Sequence, residues 1–127
     1  MKFKIANMGS EFSSDQVDPR LRAVLLELDR WLKAKFNFEM TITELGRTET
    51  EEMKLNPTVN GKAHVARPCR GADIRTKDMP QEVLAAVKIF FLKWWPMPYA
   101  QILFNDRGVK FPHIHVGINP LKEEVVT

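Results

Sequence analysis

The sequence predicts an α+β domain in which two main helices pack on one small antiparallel sheet. Three observations carry this. Two stretches place apolar residues at helical spacing, and each opens with Asp and Pro close together. Alternating, β-rich segments lie between and after them. The order reads α, β, β, α, β, β, and a turn sequence separates the last two strands. The length of 127 residues and an apolar fraction of 44% fit a single domain over 1–127, with its core in about 18–118, and exclude wholesale disorder.

Residues 1–17 are polar with short apolar pieces. Phe3, Ile5 and Met8 offer one short edge element, and 13–16 read as loop. Asp18-Pro19 then opens a helix over about 19–35, because Asp can cap the first free N–H groups and Pro has none to waste. Its apolar face runs through Leu21, Val24, Leu25, Leu28, Trp31, Leu32 and Phe36. Its polar face carries Arg20, Arg22, Glu27, Asp29, Arg30, Lys33 and Lys35. Residues 38–45 alternate as a strand, with Met40, Ile42 and Leu45 inward. A short helical turn is expected at 48–54 and a loop at 56–62. Pro68 breaks any long element through 64–70, and 71–76 is the next strand. Asp78 and Pro80 start the second helix, which buries Val83, Leu84, Val87, Phe90, Phe91 and Trp94 and stops before Pro96 and Pro98. Strands at 99–104 and 111–118 flank a turn at 105–108 and predict a hairpin.

Nineteen Lys and Arg against 16 Asp and Glu give a net charge of +3. The two signs are mixed along the chain, so nucleic acid is not an expected partner. One cysteine, Cys69, excludes an internal disulfide and a multi-cysteine zinc finger. Lys88 and Lys93 interrupt the longest apolar stretch, so no membrane span is expected. The N-terminal residues lack the apolar core of a signal peptide, which predicts a chain that is cytoplasmic as synthesised.

The chemistry gathers on the three histidines. His113 and His115 are two apart in a strand and therefore share a face. A shared ion, proton or substrate would explain that pairing, and so would two polar residues turned to solvent. Asp73 sits among small and apolar neighbours, where an unpaired carboxylate is costly. A cation would satisfy it, as would Arg70 or Arg75. His64 precedes this strand. Two imidazoles and a carboxylate around an open fourth position form a catalytic zinc arrangement.

These residues resemble, in order, the motifs of the zinc metallopeptidases that include D-alanyl-D-alanine carboxypeptidases and dipeptidases, phage L-alanyl-D-glutamate endolysins, murein endopeptidases and the hedgehog signalling domain. His64 is similar to their first zinc ligand. Arg70-Gly71-Ala72-Asp73-Ile74 resembles the motif that ends in the zinc Asp, and His113-Ile114-His115 resembles the C-terminal His-x-His. The resemblance covers roughly 18–118. It implies a hedgehog/DD-peptidase-like fold, zinc held by His64, Asp73 and His115, and a peptidoglycan peptide as substrate. It assigns proton transfer to His113, because Pro112 stands where many relatives carry a carboxylate base. It assigns the substrate's carboxylate or carbonyl to Arg47, which follows the first strand. Eight residues separate His64 from Asp73, a longer interval than is usual in the family, which leaves Cys69 as an alternative ligand. The implied protein is a monomeric zinc peptidase of endolysin or carboxypeptidase type that reaches the wall through a phage holin or on a virion. A non-catalytic zinc-binding or virion structural module on the same fold is the alternative, and a metal-free domain with incidental histidines is a third.

Overall fold

A computed structural model describes residues 1–46, 68–94, 100–105 and 112–119, with the backbone alone at Trp94 and Ala100. Arg47, His64, the expected turn at 48–54, the loop at 56–62, residues 106–108 of the turn expected at 105–108, Trp95 and the Trp94 side chain lie outside the described residues. The elements are β1 (Lys2–Phe3), α1 (Met8–Phe12), α2 (Pro19–Phe36), β2 (Thr41–Glu44), β3 (Gly71–Arg75), α3 (Gln81–Trp94), β4 (Ala100–Asn105) and β5 (His113–Ile118). The strands form one sheet in the order β1-β2-β3-β5-β4.

The α+β class holds, and the expectation of a wholly antiparallel sheet does not. β1 pairs parallel to β2, because the chain between them passes through α1 and α2 and such a crossover returns in the same direction. The other three pairings are antiparallel, and the hairpin partners β4 and β5 are neighbours as expected.

Asp18 caps α2 by accepting the Arg20 N–H at 2.8 Å, and Asn37 closes it in the left-handed conformation at φ 52°. The helix buries Leu21, Val24, Leu25, Leu28 and Leu32 completely. At about 1.5–3 kcal/mol for each fully buried large aliphatic side chain, this stripe is a major source of stability. Leu25→Ala should cost about 2–5 kcal/mol. Val83, Val87, Phe90 and Phe91 of α3 join the same core, and Phe90 meets Trp31 at 5.5 Å between ring centroids.

Three residues assigned to the polar face of α2 are used by the fold. Arg22 donates to the carbonyls of Phe12, Ser14 and Val17, tying the end of α1 to α2. Arg20 folds back on Asp18 at 2.6 Å. Asp29 is buried and pairs with Lys33 at 3.3 Å and with the amino group of Met1 at 3.0 Å.

The sheet has two different faces. Ile42, Ile74, Ile114 and Val116 point towards the helices and are fully buried. The alternate residues, Asp73 of β3 and His113 and His115 of β5, point the other way. β2 reaches this arrangement through an irregularity. Ile42 pairs with Ile74 and Glu44 with Asp73, so Thr43 is an extra residue against one step of β3. The bulge explains how Met40, Ile42 and Leu45 can all be buried without strict period two.

Candidate functional site

β3 and β5 bring Asp73 and His115 directly opposite each other, with Arg75 opposite His113. Ile74 and Ile114 seat the two strands in the core and so fix which way these polar residues point. Asp73 is 7% exposed. Its Oδ1 lies 2.9 Å from His115 Nδ1, and its Oδ2 lies 3.9 Å from His113 Nε2. With Asp73 ionised, the His115 Nδ1–H donates to it, and Nε2 keeps its lone pair. The His113 side chain is the more open of the two, at 30% exposure against 14% for His115. Of the two arginines that could have neutralised Asp73, Arg70 donates to the carbonyl of Ile118 at 2.8 Å.

The donor chemistry suits zinc, which takes imidazole nitrogen and carboxylate oxygen. Two ligands at tetrahedral zinc stand about 3.3 Å apart. Asp73 and His115 would therefore part by about 0.4 Å to share an ion through the facing atoms. Alternatively, His115 could bind through Nε2 and keep Asp73 on Nδ1, as zinc-bound imidazoles commonly do. Among the described residues, no group of three or more His, Cys, Asp or Glu side chains is arranged to hold a metal ion. The third expected ligand, His64, lies outside those residues, as does Arg47.

Cys69 has a structural setting. Its side chain is fully buried, and the single thiol hydrogen is shared between the carbonyls of Leu45 at 3.3 Å and Gly71 at 3.2 Å. Its backbone N–H donates to Gln16 at 2.7 Å and its carbonyl accepts from Asp18 at 2.8 Å. These bonds anchor the approach to β3 against the start of α2.

Glu44 was not singled out by the motifs. The bulge sets it beside Asp73 on the histidine face. The signal in the sequence is Leu45, an apolar residue out of phase with Met40 and Ile42.

Among the described residues, the Asp18 carboxyl is held below its ordinary range. The side-chain hydrogen bond from Arg20 is the main cause, assisted by the Arg20 backbone N–H and by the charges of Arg20 and Arg70, against the opposing effect of burial. No helix among the described residues is long and apolar enough to cross a membrane. The chain matches no protein-family model, no curated protein and no solved structure.

Proposed function

We propose that the protein is a zinc-dependent peptidase acting on the short peptides of bacterial peptidoglycan, of the metallopeptidase family whose motifs it resembles. The observation that supports this reading is the convergence of Asp73, His115 and His113 on the sheet face opposite the helices, at 2.9 and 3.9 Å. In this reading His64, Asp73 and His115 hold the metal. Bound zinc supplies a Lewis acid for the scissile carbonyl and an acidified water as nucleophile. His113, the more accessible imidazole, takes the proton from the nucleophile and delivers it to the leaving amine. Arg47, three residues beyond the end of β2, anchors a substrate carboxylate or carbonyl through its guanidinium fork. The chain acts as a monomer and meets the wall through a holin or on a virion.

Metal analysis of protein purified without chelator, followed by mass spectrometry of digested wall fragments, tests the proposal. One zinc per chain, with wall peptides cleaved by the wild type and not by His113→Ala, is the expected result. Zinc without cleavage would favour the non-catalytic module.

A second reading has one specific observation in its favour. A carboxylate bonded to imidazole Nδ1 at 2.9 Å also orients a general base that works without metal. Cleavage that persists after exhaustive chelation would select it.

A further inference from the structure

α3 is apolar on two faces. Val83, Val87, Phe90 and Phe91 fill the core. Ala85, Ile89 and Leu92 point outward, with Ile89 60% and Leu92 70% exposed. They follow one another at steps of four and three, the spacing of a helix–helix seam. Glu82 and Lys93, both exposed, stand at the two ends of the same stripe, because their separation is close to three helical turns. Between them the stripe carries no charge. Lys88 is half-buried, and its Nζ sits 5.5 Å from the Phe104 ring centroid, so it leans away towards β4. The outer face of α2, by contrast, exposes Glu27, Arg30, Lys33 and Lys35. A surface helix ordinarily turns polar residues outward, and one that is apolar all round has its second face covered.

The stripe is complementary to itself. When a second copy lays its α3 antiparallel across it, about a two-fold axis near Ile89, the partner's Leu92 faces Ala85 and the partner's Ala85 faces Leu92. The two Ile89 side chains meet at the axis. Large then packs on small, which lets the helices approach to the usual separation of about 8–10 Å. The same rotation carries the partner's Lys93 towards Glu82 and the partner's Glu82 towards Lys93, so each favourable contact occurs twice. A parallel pairing would set like charges together at both ends, which is unfavourable. Lys93 also interacts within its own chain, so the end charges choose the direction of pairing while Ile89 and Leu92 carry the association.

We propose that the outer face of α3 is an interface between two copies of this chain, paired antiparallel through Ala85, Ile89 and Leu92. One pair of helices about 21 Å long covers less than the roughly 1,200–2,000 Å² of a lasting complex, so the pairing is reversible, with a Kd on the order of 100 μM. α3 lies on the helix side of the sheet, and Asp73, His113 and His115 face the other way. Each copy therefore keeps its own centre uncovered and works alone, as in the peptidase reading. The pairing requires neither metal nor turnover.

The test is sedimentation equilibrium of the full chain from about 10 μM to about 1 mM, a range that brackets the expected Kd. The apparent mass should rise from one chain towards two. Leu92→Glu should keep it near one chain, weakening the pairing by more than about tenfold. Its melting temperature in dilute solution should match the wild type, since Leu92 is 70% exposed. Glu82→Lys alone and Lys93→Glu alone should each weaken the pairing by about three- to tenfold. The two changes together should restore it, because exchanging both ends keeps the match. A parallel pair would show neither the losses nor the rescue. A wild type of single-chain mass at the top of the range, or a Leu92→Glu chain that pairs like the wild type, would overturn the proposal. So would single exchanges without loss, or a double exchange without rescue. Vesicles of phosphatidylglycerol separate the other occupant. A wild type that stays single in solution and binds them through Ile89 and Leu92 would assign the stripe to a lipid surface and overturn the pairing.

Discussion

Replacing Asp73 separates its two roles, because alanine and asparagine remove different things. Asp73 is 7% exposed and accepts from His115 Nδ1 at 2.9 Å. Alanine leaves that N–H, on a side chain only 14% exposed, without its acceptor. A buried donor stranded in this way costs about 1–3 kcal/mol. For a domain of this size that is roughly 4–12 °C of melting temperature. Asparagine keeps an oxygen where Oδ1 stands, so its melting temperature should fall by less than half as much. Both variants lose the negative charge, and with it one of three proposed zinc ligands. Zinc affinity should then drop by a hundredfold or more in each, since even a residue that only orients a ligand is worth about 10–100-fold. The assays are thermal unfolding with chelator present, which reads the hydrogen bond alone, and competition for zinc against a chromogenic chelator. Equal destabilisation by alanine and asparagine would refute the hydrogen-bond argument. Wild-type affinity for zinc in either variant would refute the ligand assignment, and a wild type that takes up no zinc would remove the metal altogether.

Other substitutions test the remaining assignments. His113→Ala should keep full zinc occupancy while wall-peptide cleavage falls by about a hundredfold or more; loss of zinc as well would make His113 a ligand and pass the proton work to His115. Arg47→Ala should retain zinc and lose about ten- to a hundredfold in kcat/KM, with Arg47→Lys recovering only part because an ammonium has no fork; unchanged kinetics would return Arg47 to an ordinary surface role. Cys69→Ser keeps a donor for the Leu45 and Gly71 carbonyls, so zinc binding should persist, whereas its loss alongside retention in His64→Ala would exchange the two ligand assignments. Asp18→Ala should cost about 1 kcal/mol through the lost cap. The native Asp18 carboxyl lies below its usual value of 3.8, so the charged contribution is present above that pH and disappears as pH falls through the lower native value. An acid-unfolding profile of Asp18→Asn that matches the wild type would deny the carboxylate that part.

α2 and α3 were legible because periodicity and caps act locally, whereas the five-residue α1 is too short to show a period. Asp18 and Pro19 mark the start of α2 in sequence as they do in space, and the same holds for the hairpin partners β4 and β5. The parallel pairing of β1 was not legible, since two residues carry no pattern and their register is set by the crossover through α1 and α2. Arg22 and Asp29 misled for a related reason. Helical spacing places them on a polar stripe, and only the return of residues 1–17 along that stripe turns it into an interior surface. At the site, His113, His115 and Asp73 were readable because strand period and an awkward buried charge pointed to one face. Glu44 was not, because a bulge shifts the phase by one residue, and the shift shows only when Leu45 is compared with Met40 and Ile42.

The bond from the Cys69 thiol to the Leu45 carbonyl joins the departure and the return of the chain between β2 and β3, which are adjacent strands. The connection that carries Arg47 and His64 therefore begins and ends at nearly one place. Closing a longer excursion from such a doorway is mainly an entropic matter, and doubling its length adds only about 0.6 kcal/mol. The sheet can thus tolerate insertions and deletions between these strands without any change in the pairing that aligns Asp73 with His115. Spacing along the sequence in this stretch is a weak constraint on the architecture, and a domain built this way can vary this connection while its frame stays constant.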